Sequence, residues 1–272
     1  MKRITSPQNP LVKEFAAAGK KPAAGRFLIE GPNLLEAALA AGAVLHAVFI
    51  TDNFLKKGKK PSGAVSGRVL EKAFLVPEEI MKKAAATATP QGIAAIAGIS
   101  PPGLEDIVIR QDSPALIPVS DGIKEPGNLG SLIRCSDAAG ANACVILHGS
   151  SNPYSPKALR ASAGSFFNLP VVEADTQKFF LWLKSKAITL VGADASGERG
   201  LYDADLTLPA AIAFGEEAHG LSPAVKKAAA LLLRIPIAGR AESLNVAASS
   251  AVILFEALRQ RNSAPAAGGK GR

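Results

Sequence analysis

The sequence contains few of the residues that build disulfide frameworks and metal centres. It has two cysteines and three histidines in 272 residues. Cys135 and Cys144 do not have CxxC spacing, so we expect reduced, buried thiols. His46, His148 and His219 are too scattered along the chain to form a metal cluster by spacing. The sequence therefore predicts a protein without a metal site.

Long apolar runs are also missing. No stretch approaches the roughly 18 uninterrupted apolar residues that a membrane span needs, and the start MKRITSPQNP lacks the apolar core of a signal peptide. We therefore expect a cytoplasmic protein with no membrane segment. No G-x-G-x-x-G motif follows a predicted strand, which argues against a dinucleotide-binding dehydrogenase. A single G-x-x-G at 127–130 formally matches the clamp of a KH domain, but it follows a strand and opens a helix, which is the wrong setting.

The composition allows one large domain or two modest ones. The chain is 27.9 kDa with 48% hydrophobic residues, but aromatic residues make up only 5%, so aliphatic residues and alanine must fill the cores. The net charge is +8, of which +5 lies in positions 1–113 and +3 in the remainder. This surplus favours a polyanionic partner without proving one. A lysine run, formed by Lys56, Lys57, Lys59 and Lys60, fits either a solvated loop or a phosphate contact.

Prolines and a loss of periodicity around residues 100–103 divide the chain. We predict a smaller α/β domain at 1–100, a linker at 101–113, a larger α/β domain at 114–262 and a disordered tail at 263–272. In the first domain the pattern predicts helices at 10–18, 32–41 and 78–86, and strands at 26–30, 44–51 and 93–96. In the second it predicts strands at 115–120, 143–147, 188–193, 210–214 and 231–235. Because these five strands are apolar throughout and alternate with helical segments, we expect a parallel sheet with helices on both faces.

The stretch from Ile235 to Arg259 joins the end of a strand, a short polar loop and a helix. Pro236 has no N–H group, so the strand should end there. Ser243 then occupies the position of an N-cap for the helix that follows. Small residues at 247–251 would let another backbone come very close. On spacing alone, this is an ordinary capped strand-loop-helix unit of an α/β domain.

Three motifs occur in an order that resembles one enzyme family. They are EPGNLGSLIRCSDAAGA at 125–141, FGEEAHGLS at 214–222 and IPIAGRAESLNVAAS at 235–249. Together they resemble the signatures of the SpoU branch of the SPOUT RNA methyltransferases, which transfer a methyl group from S-adenosylmethionine (SAM) to a ribose 2′-hydroxyl. The resemblance covers 116–261 and, more weakly, 27–99.

This resemblance implies SAM as the cofactor, RNA as the substrate, a homodimer and a C-terminal trefoil knot in the larger domain. The first domain is similar to an RNA-binding fold of the ribosomal-protein L30e type through EGPNLLEAALAAG and TPQGIAA. Because that domain also carries the larger share of positive charge, we predict ribosomal RNA as the substrate. A tRNA methyltransferase and a non-catalytic RNA-binding module are the alternatives. Methyl transfer from an activated sulfonium requires no metal.

The resemblance assigns catalytic roles to residues of the first motif. Arg134 fills the position of the family's catalytic arginine, and Asn128 matches the asparagine before it. An arginine has a pKa above about 12, so orienting the hydroxyl and the adjacent phosphate suits Arg134 better than acting as a general base. The alternative is that Arg134 is a structural partner of Asp137.

The second and third motifs supply the other candidates. Glu217 matches the family's glutamate, but Glu216 stands where the family more often has asparagine or serine, so their relative roles stay open. Glu217 also suits a helix N-terminus on dipole grounds alone. Ser243 and Asn245 match the polar pair of the third motif. The resemblance implies cofactor contacts at Gly215, Ile235 and Leu244, of which the last two would otherwise be interpreted as core. A further family-like stretch offers candidates for RNA phosphate contacts, with plain surface charge as the alternative: Lys157, Arg160 and Ser162.

Overall fold

The computed structural model describes residues 1–56, 67 and 69–263, and it divides the chain into two compact units. Unit 1 comprises Met1–Pro101 and Asn152–Asn168, and unit 2 comprises Pro102–Ser151 and the chain from Leu169 onward. Three lysines of the predicted run, at 57, 59 and 60, lie outside the described residues, as does most of the predicted tail.

Helices and strands are numbered separately in chain order. The helices are α1 (Pro10–Lys20), α2 (Pro32–Ala40), α3 (Asp52–Lys56), α4 (Glu78–Ala84), α5 (Pro126–Ala138), α6 (Pro156–Ala161), α7 (Thr176–Ser185), α8 (Pro223–Ala228) and α9 (Val246–Ser263). The strands are β1 (Lys2–Arg3), β2 (Phe27–Glu30), β3 (Val44–Ile50), β4 (Ala73–Leu75), β5 (Ile93–Gly98), β6 (Leu116–Asp121), β7 (Cys144–Leu147), β8 (Val171–Ala174), β9 (Thr189–Ala193), β10 (Arg199–Gly200), β11 (Ala210–Gly215) and β12 (Leu231–Arg234).

Unit 1 contains a mixed sheet in the order β1-β4-β3-β5-β2. The fully buried strand β5 pairs antiparallel with both β2 and β3, so these two strands run in the same direction on either side of it. Phe15 of α1 stacks on Phe49 of β3 with the ring centroids 3.8 Å apart, which fixes this helix on the sheet. The helices and strands predicted for this region are present, with ends shifted by at most two residues.

The segment Asn152–Asn168 packs in unit 1, although the sequence analysis includes it in the larger domain. The rings of Tyr154 and Phe166 lie 5.6 and 6.4 Å from that of Phe27, which is fully buried. The side-chain amide of Asn152 donates a 2.8 Å hydrogen bond to the carbonyl of Pro22. Unit 1 therefore has a core built from two separate stretches of sequence.

Unit 2 contains a seven-stranded sheet in the order β10-β12-β9-β11-β6-β7-β8. All of its strand pairs are parallel, and helices flank it, which confirms the predicted fold class. The five predicted strands are present. Two more strands, β8 and β10, escaped prediction because β8 is short with an exposed Glu173, and β10 has only two residues.

Both ends of unit 2 are held by specific contacts. Ile107 lies in the predicted linker but is only 5% exposed, and it belongs to the core of unit 2. Near the other end, the guanidinium of Arg261 donates to four carbonyls at 2.9 to 3.1 Å, those of Pro114, Ala115, Leu206 and Leu208. Helix α9 includes Ser263, the first residue of the predicted tail, and the rest of that tail lies outside the described residues. The trefoil knot stays a prediction.

Candidate active site

A cavity of about 550 Å³ lies in unit 2 at the carboxyl ends of three neighbouring strands, β9, β11 and β12. Ligands of α/β proteins gather at this edge of a parallel sheet, because loops and helix N-termini meet there. Six residues predicted from the sequence line the cavity: Gly215, Glu217, Ile235, Ser243, Leu244 and Asn245. The structure thus brings together the second and third motifs.

Gly215, the last residue of β11, sits where no side chain fits. A Cβ atom there would overlap the backbone of Gly220 and Leu221. The chain doubles back closely because the N–H of Glu216 donates to the carbonyl of Gly220 at 2.9 Å and the N–H of Gly220 donates in return at 2.8 Å. Gly220 has a φ of +70°, which favours glycine. This tight turn forms one wall of the cavity.

Glu217 makes a direct contact with the first motif. The side-chain amide of Asn128, in the first turn of α5, donates a 2.8 Å hydrogen bond to its carboxylate. The backbone N–H of Asn128 is satisfied separately by the side chain of Glu125, the N-cap of α5, at 2.9 Å. Glu216 differs, because its carboxylate lies 3.4 Å from the ring of His219. The two adjacent glutamates therefore have different partners.

The third motif shows that one local prediction is wrong. Helix α9 begins at Val246, and the side chain of Asn245 accepts a 2.8 Å hydrogen bond from the N–H of Ala248. Asn245 is therefore the N-cap, and Ser243 lies in the exposed loop before it. Asparagine caps as well as serine does, so the residue types alone did not fix which one begins the helix.

Arg134 is exposed on α5 and is not among the described residues that line the cavity. It follows Asn128 by six residues, which places the two side chains about 120° apart around a helix. Because Asn128 points to Glu217, Arg134 projects from a different face. The alternative that Arg134 pairs with Asp137 stays a prediction.

Two charged residues that the sequence analysis did not select also line the cavity. Asp194 directly follows β9, and its carboxylate lies 2.7 Å from the ammonium of Lys226 on α8. The same carboxylate accepts hydrogen bonds from the N–H and the hydroxyl of Ser196 at 2.9 and 2.6 Å. Burial alone would raise the pKa of Asp194, but the bonds from Lys226 and Ser196 outweigh it and hold the pKa below its ordinary value. Asp194 could have been selected from the sequence, because it is a polar residue directly after the predicted strand at 188–193.

The three predicted RNA contacts fall in unit 1 and have different surroundings. Ser162 is fully buried, and its hydroxyl donates to the carbonyl of Leu159 at 2.8 Å, so it cannot reach a phosphate without unfolding of this turn. Arg160 lies 3.8 Å from the carboxylate of Glu30. Lys157 is exposed on α6. Only the two charged residues remain candidates for RNA.

No helix in the described part of the chain is long and apolar enough to cross a membrane. Within the same residues, no group of three histidine, cysteine, aspartate or glutamate side chains is placed to hold a metal ion. Cys144 is buried, which raises the pKa of its thiol to about 12 despite a hydrogen bond with Ser136. Both cysteines are free thiols, but Cys135 is only half-buried, so the prediction of a buried thiol holds for Cys144 alone.

Comparison with known proteins identifies the class. The model of the SpoU rRNA Methylase family matches residues 115–255, and that of the MRM3-like substrate binding domain matches 9–95. The fold, the cavity and the three motifs are those of an RNA methyltransferase. The chain belongs to the SpoU rRNA methylase family, which confirms the family predicted from the motifs and the presence of a substrate-binding domain.

Full-length relatives support this assignment. The 23S rRNA (uridine(2479)-2′-O)-methyltransferase of Streptomyces viridochromogenes is 30% identical over 270 residues, covering 96% of this chain and 93% of its own. The 23S rRNA (guanosine(2553)-2′-O)-methyltransferase RlmP of Bacillus subtilis is 30% identical over 258 residues, with 94% and 98% covered.

Solved structures agree with the sequence relatives. The crystal structure of an RNA 2′-O ribose methyltransferase matches with a TM-score of 0.78 and 37% identity, covering 96% of this chain and 99% of that one. AviRb from Streptomyces viridochromogenes, in complex with the cofactor AdoMet (SAM), matches with a TM-score of 0.81 and 28% identity, covering 95% and 100%. The family is SAM-dependent, as the motifs predicted.

The cavity suits a cofactor of this size and chemistry. Its volume falls within the range of about 300–1,000 Å³ that is usual for small-molecule sites. Ile235, Ile237 and Leu244 line it with apolar side chains, and Asp194 and Lys226 line it with charged ones.

Proposed function

We propose that this protein transfers the methyl group of SAM to a ribose 2′-hydroxyl of ribosomal RNA. The observation that carries the proposal is the bond between Asn128 and Glu217, which joins the first motif to the rim of a cavity that fits SAM. Two relatives that align along almost the whole chain are named for 2′-O-methylation of 23S rRNA. The matched substrate-binding domain supports a large, structured substrate. An rRNA substrate also suits the predicted cytoplasmic location.

The residues of this chain have separable tasks in that reaction. SAM, when bound, supplies a methyl group that is already activated as a sulfonium. The apolar wall and the backbone near Gly215 hold the cofactor, while Glu217 fixes the side chain of Asn128 so that its remaining polar groups face one direction. A fixed amide can hold the ribose hydroxyl in line with the methyl carbon, and such positioning contributes much of the rate of a transfer reaction. Ser243, exposed at the cavity, can contact the same ribose.

Arg134 does not reach the cavity of its own protomer, so we propose that it acts at the cavity of a second copy of the chain in a homodimer. Arg134 lies outside the cavity lining of its own protomer, and two large apolar side chains in or after the third motif are exposed. Leu244 is 40% exposed and Phe255 is 47% exposed. Burying such groups against a second copy would remove apolar surface from water. In the dimer, Arg134 of one protomer would orient the hydroxyl or phosphate at the site of its partner.

Mixed dimers test the shared site. Arg134→Ala and Glu217→Ala homodimers should both have very little activity, whereas a mixture that has exchanged subunits should regain activity, because one of its two sites keeps both residues. An unchanged, inactive mixture of verified heterodimers would show that Arg134 acts within its own protomer. A monomer by light scattering at micromolar concentration would refute the dimer.

The reaction itself is tested with labelled SAM and total RNA from a strain that lacks the protein. We expect alkali-resistant label at a ribose in rRNA, mapped to one nucleotide by mass spectrometry. Glu217→Ala should lower the rate of labelling by about 100-fold, and the matched Glu198→Ala, which changes an exposed carboxylate outside the cavity lining, should not. Label found only in tRNA would favour the alternative substrate, and RNA binding without label would favour the non-catalytic module.

A further inference from the structure

Asp194 occupies the central position at the edge of the sheet where the cofactor cavity opens. Strand β9 lies between β11 and β12, and its last residue, Ala193, pairs with Phe214 on one side and Leu233 on the other. Asp194 is the next residue, so it lies level with Gly215 of β11. Its side chain is only 9% exposed and forms part of the cavity wall. A ligand held by β11 and β12 must therefore pass beside this carboxylate.

The hydrogen bonds of Asp194 leave a defined acceptor position. Oδ1 accepts from both the N–H and the hydroxyl of Ser196, and Oδ2 accepts from Lys226. Each carboxylate oxygen has two lone pairs, so Oδ2 can accept one more hydrogen bond. The ammonium of Lys226 has three N–H groups, of which one is directed at Asp194, and this lysine is also part of the cavity wall. The pair thus presents an acceptor next to a donor.

This arrangement suits one part of SAM better than the other. Adjacent ribose hydroxyls can each donate and accept, so one can donate to Asp194 while the other accepts from Lys226. The amino-acid end carries an ammonium and a carboxylate, and each could bind its opposite charge only by competing with the existing 2.7 Å ion pair between Asp194 and Lys226. The charges of Asp194 and Lys226 largely cancel each other. The neutral ribose hydroxyls therefore suit this ion pair better than the charged amino-acid end of SAM does.

From this geometry we infer that Asp194 and Lys226 recognise the ribose diol of the cofactor. The inference rests on the proposed use of SAM and adds a specificity determinant to that site. Ser196 holds the carboxylate in place, and Lys226 both orients it and contributes a donor. Nucleotide-like ligands without these hydroxyls should therefore bind less tightly than those with them.

Calorimetric measurement of the binding of two ligands to the full-length protein distinguishes a contact with the ribose from a contact with the amino-acid end. S-adenosylhomocysteine contains both ends of the cofactor, whereas 5′-methylthioadenosine keeps the ribose and lacks the amino acid. Asp194→Ala should weaken binding of both ligands by about tenfold or more, since it removes a charged hydrogen-bond partner. If only S-adenosylhomocysteine is weakened, the pair contacts the amino-acid end and the inference is wrong. Unchanged affinity for both would also overturn it.

The chain offers a closely matched control. Asp205 accepts hydrogen bonds from the N–H and hydroxyl of Thr207 at 2.9 and 2.6 Å, the same distances as those between Ser196 and Asp194. Asp205 is not among the described residues that line the cavity, so Asp205→Ala should keep wild-type affinities. Thermal melting of both variants shows whether they fold, and Asp194→Asn, of nearly the same shape, serves if the alanine variant does not. Wild-type protein that binds neither ligand would contradict the proposed function instead.

Discussion

The side-chain amide of Asn128 and the carboxylate of Glu217 are joined by a 2.8 Å hydrogen bond, although 89 positions separate the two residues in the chain. This bond connects α5 to the loop after β11, and so it aligns two of the three motifs. Its partners should act as a unit rather than independently.

We predict that Asn128→Ala and Glu217→Ala each lower the methylation rate by about 100-fold, because each removes one partner of the hydrogen bond and releases the other residue from its position. The double variant should be scarcely slower than either single variant, since the shared contact is lost only once. Single-turnover kinetics with saturating SAM would measure this. Effects that multiply in the double variant would mean that the two residues act separately.

Gly215→Ala should prevent cofactor binding and destabilise unit 2. The new methyl group would overlap the backbone of Gly220, which cannot move without breaking the paired hydrogen bonds to Glu216. Overpacking of this kind costs about 1–3 kcal/mol. Gly239→Ala is the control, because a Cβ atom there would meet nothing within 4 Å. Binding of S-adenosylhomocysteine and chemical denaturation should distinguish the two variants, and equal behaviour would contradict the steric argument.

Arg261→Met should lower the free energy of unfolding by about 2–4 kcal/mol, because the carbonyls that this guanidinium satisfies would lose a charged donor. Burial lowers the pKa of Arg261, because desolvation disfavours the charged guanidinium. Arg240→Met, in an exposed loop, should change stability by less than about 0.5 kcal/mol. Urea midpoints at neutral pH would test the difference, and similar midpoints would refute this role for Arg261.

Glu256 should make the stability of the protein sensitive to acid. Hydrogen bonds from Arg259 and Gln260 lower the pKa of Glu256 to about 2, against opposing burial. Because the folded pKa lies below the ordinary value of about 4.3, the stabilisation is complete above that value and is lost as pH falls toward 2. We expect Glu256→Gln to lower the unfolding free energy by about 1 kcal/mol near pH 6, since Arg259 is largely exposed. The difference from wild type should shrink between about pH 4.5 and 2, and a constant difference would contradict this.

The parts of the fold that were predictable depend on patterns within single segments. The five predicted strands of unit 2 could be recognised because each is a short apolar run, and four of them are largely buried. In β12 only Leu233 is fully buried. Gly215, Ile235 and Leu244 could be placed in one site because they lie in recognisable motifs, and all three line the cavity.

The parts that were not predictable depend on contacts between distant segments. The spacing of residues within one segment predicts neither the pairing of Asn128 with Glu217 nor that of Asp194 with Lys226. Ser162 was selected as a phosphate contact because it lies in a family-like stretch, but its hydroxyl donates to a carbonyl of the turn that contains it. The cap of α9 was misplaced because serine and asparagine compete on equal terms two residues apart.

Unit 1 is built from two separate stretches of the chain, so it cannot complete its fold during synthesis until the second stretch has been made. The hydrogen bond from Asn152 to Pro22 joins residues 130 positions apart. Phe27 likewise cannot be covered until Tyr154 and Phe166 have been synthesised. At the usual rate of translation, the ribosome needs on the order of 10 s to add that many residues. During this interval the nascent first domain exposes an aromatic surface to which chaperones can bind. Removal of the first 113 residues would expose the complementary rings of the later segment, so a truncated protein is expected to aggregate.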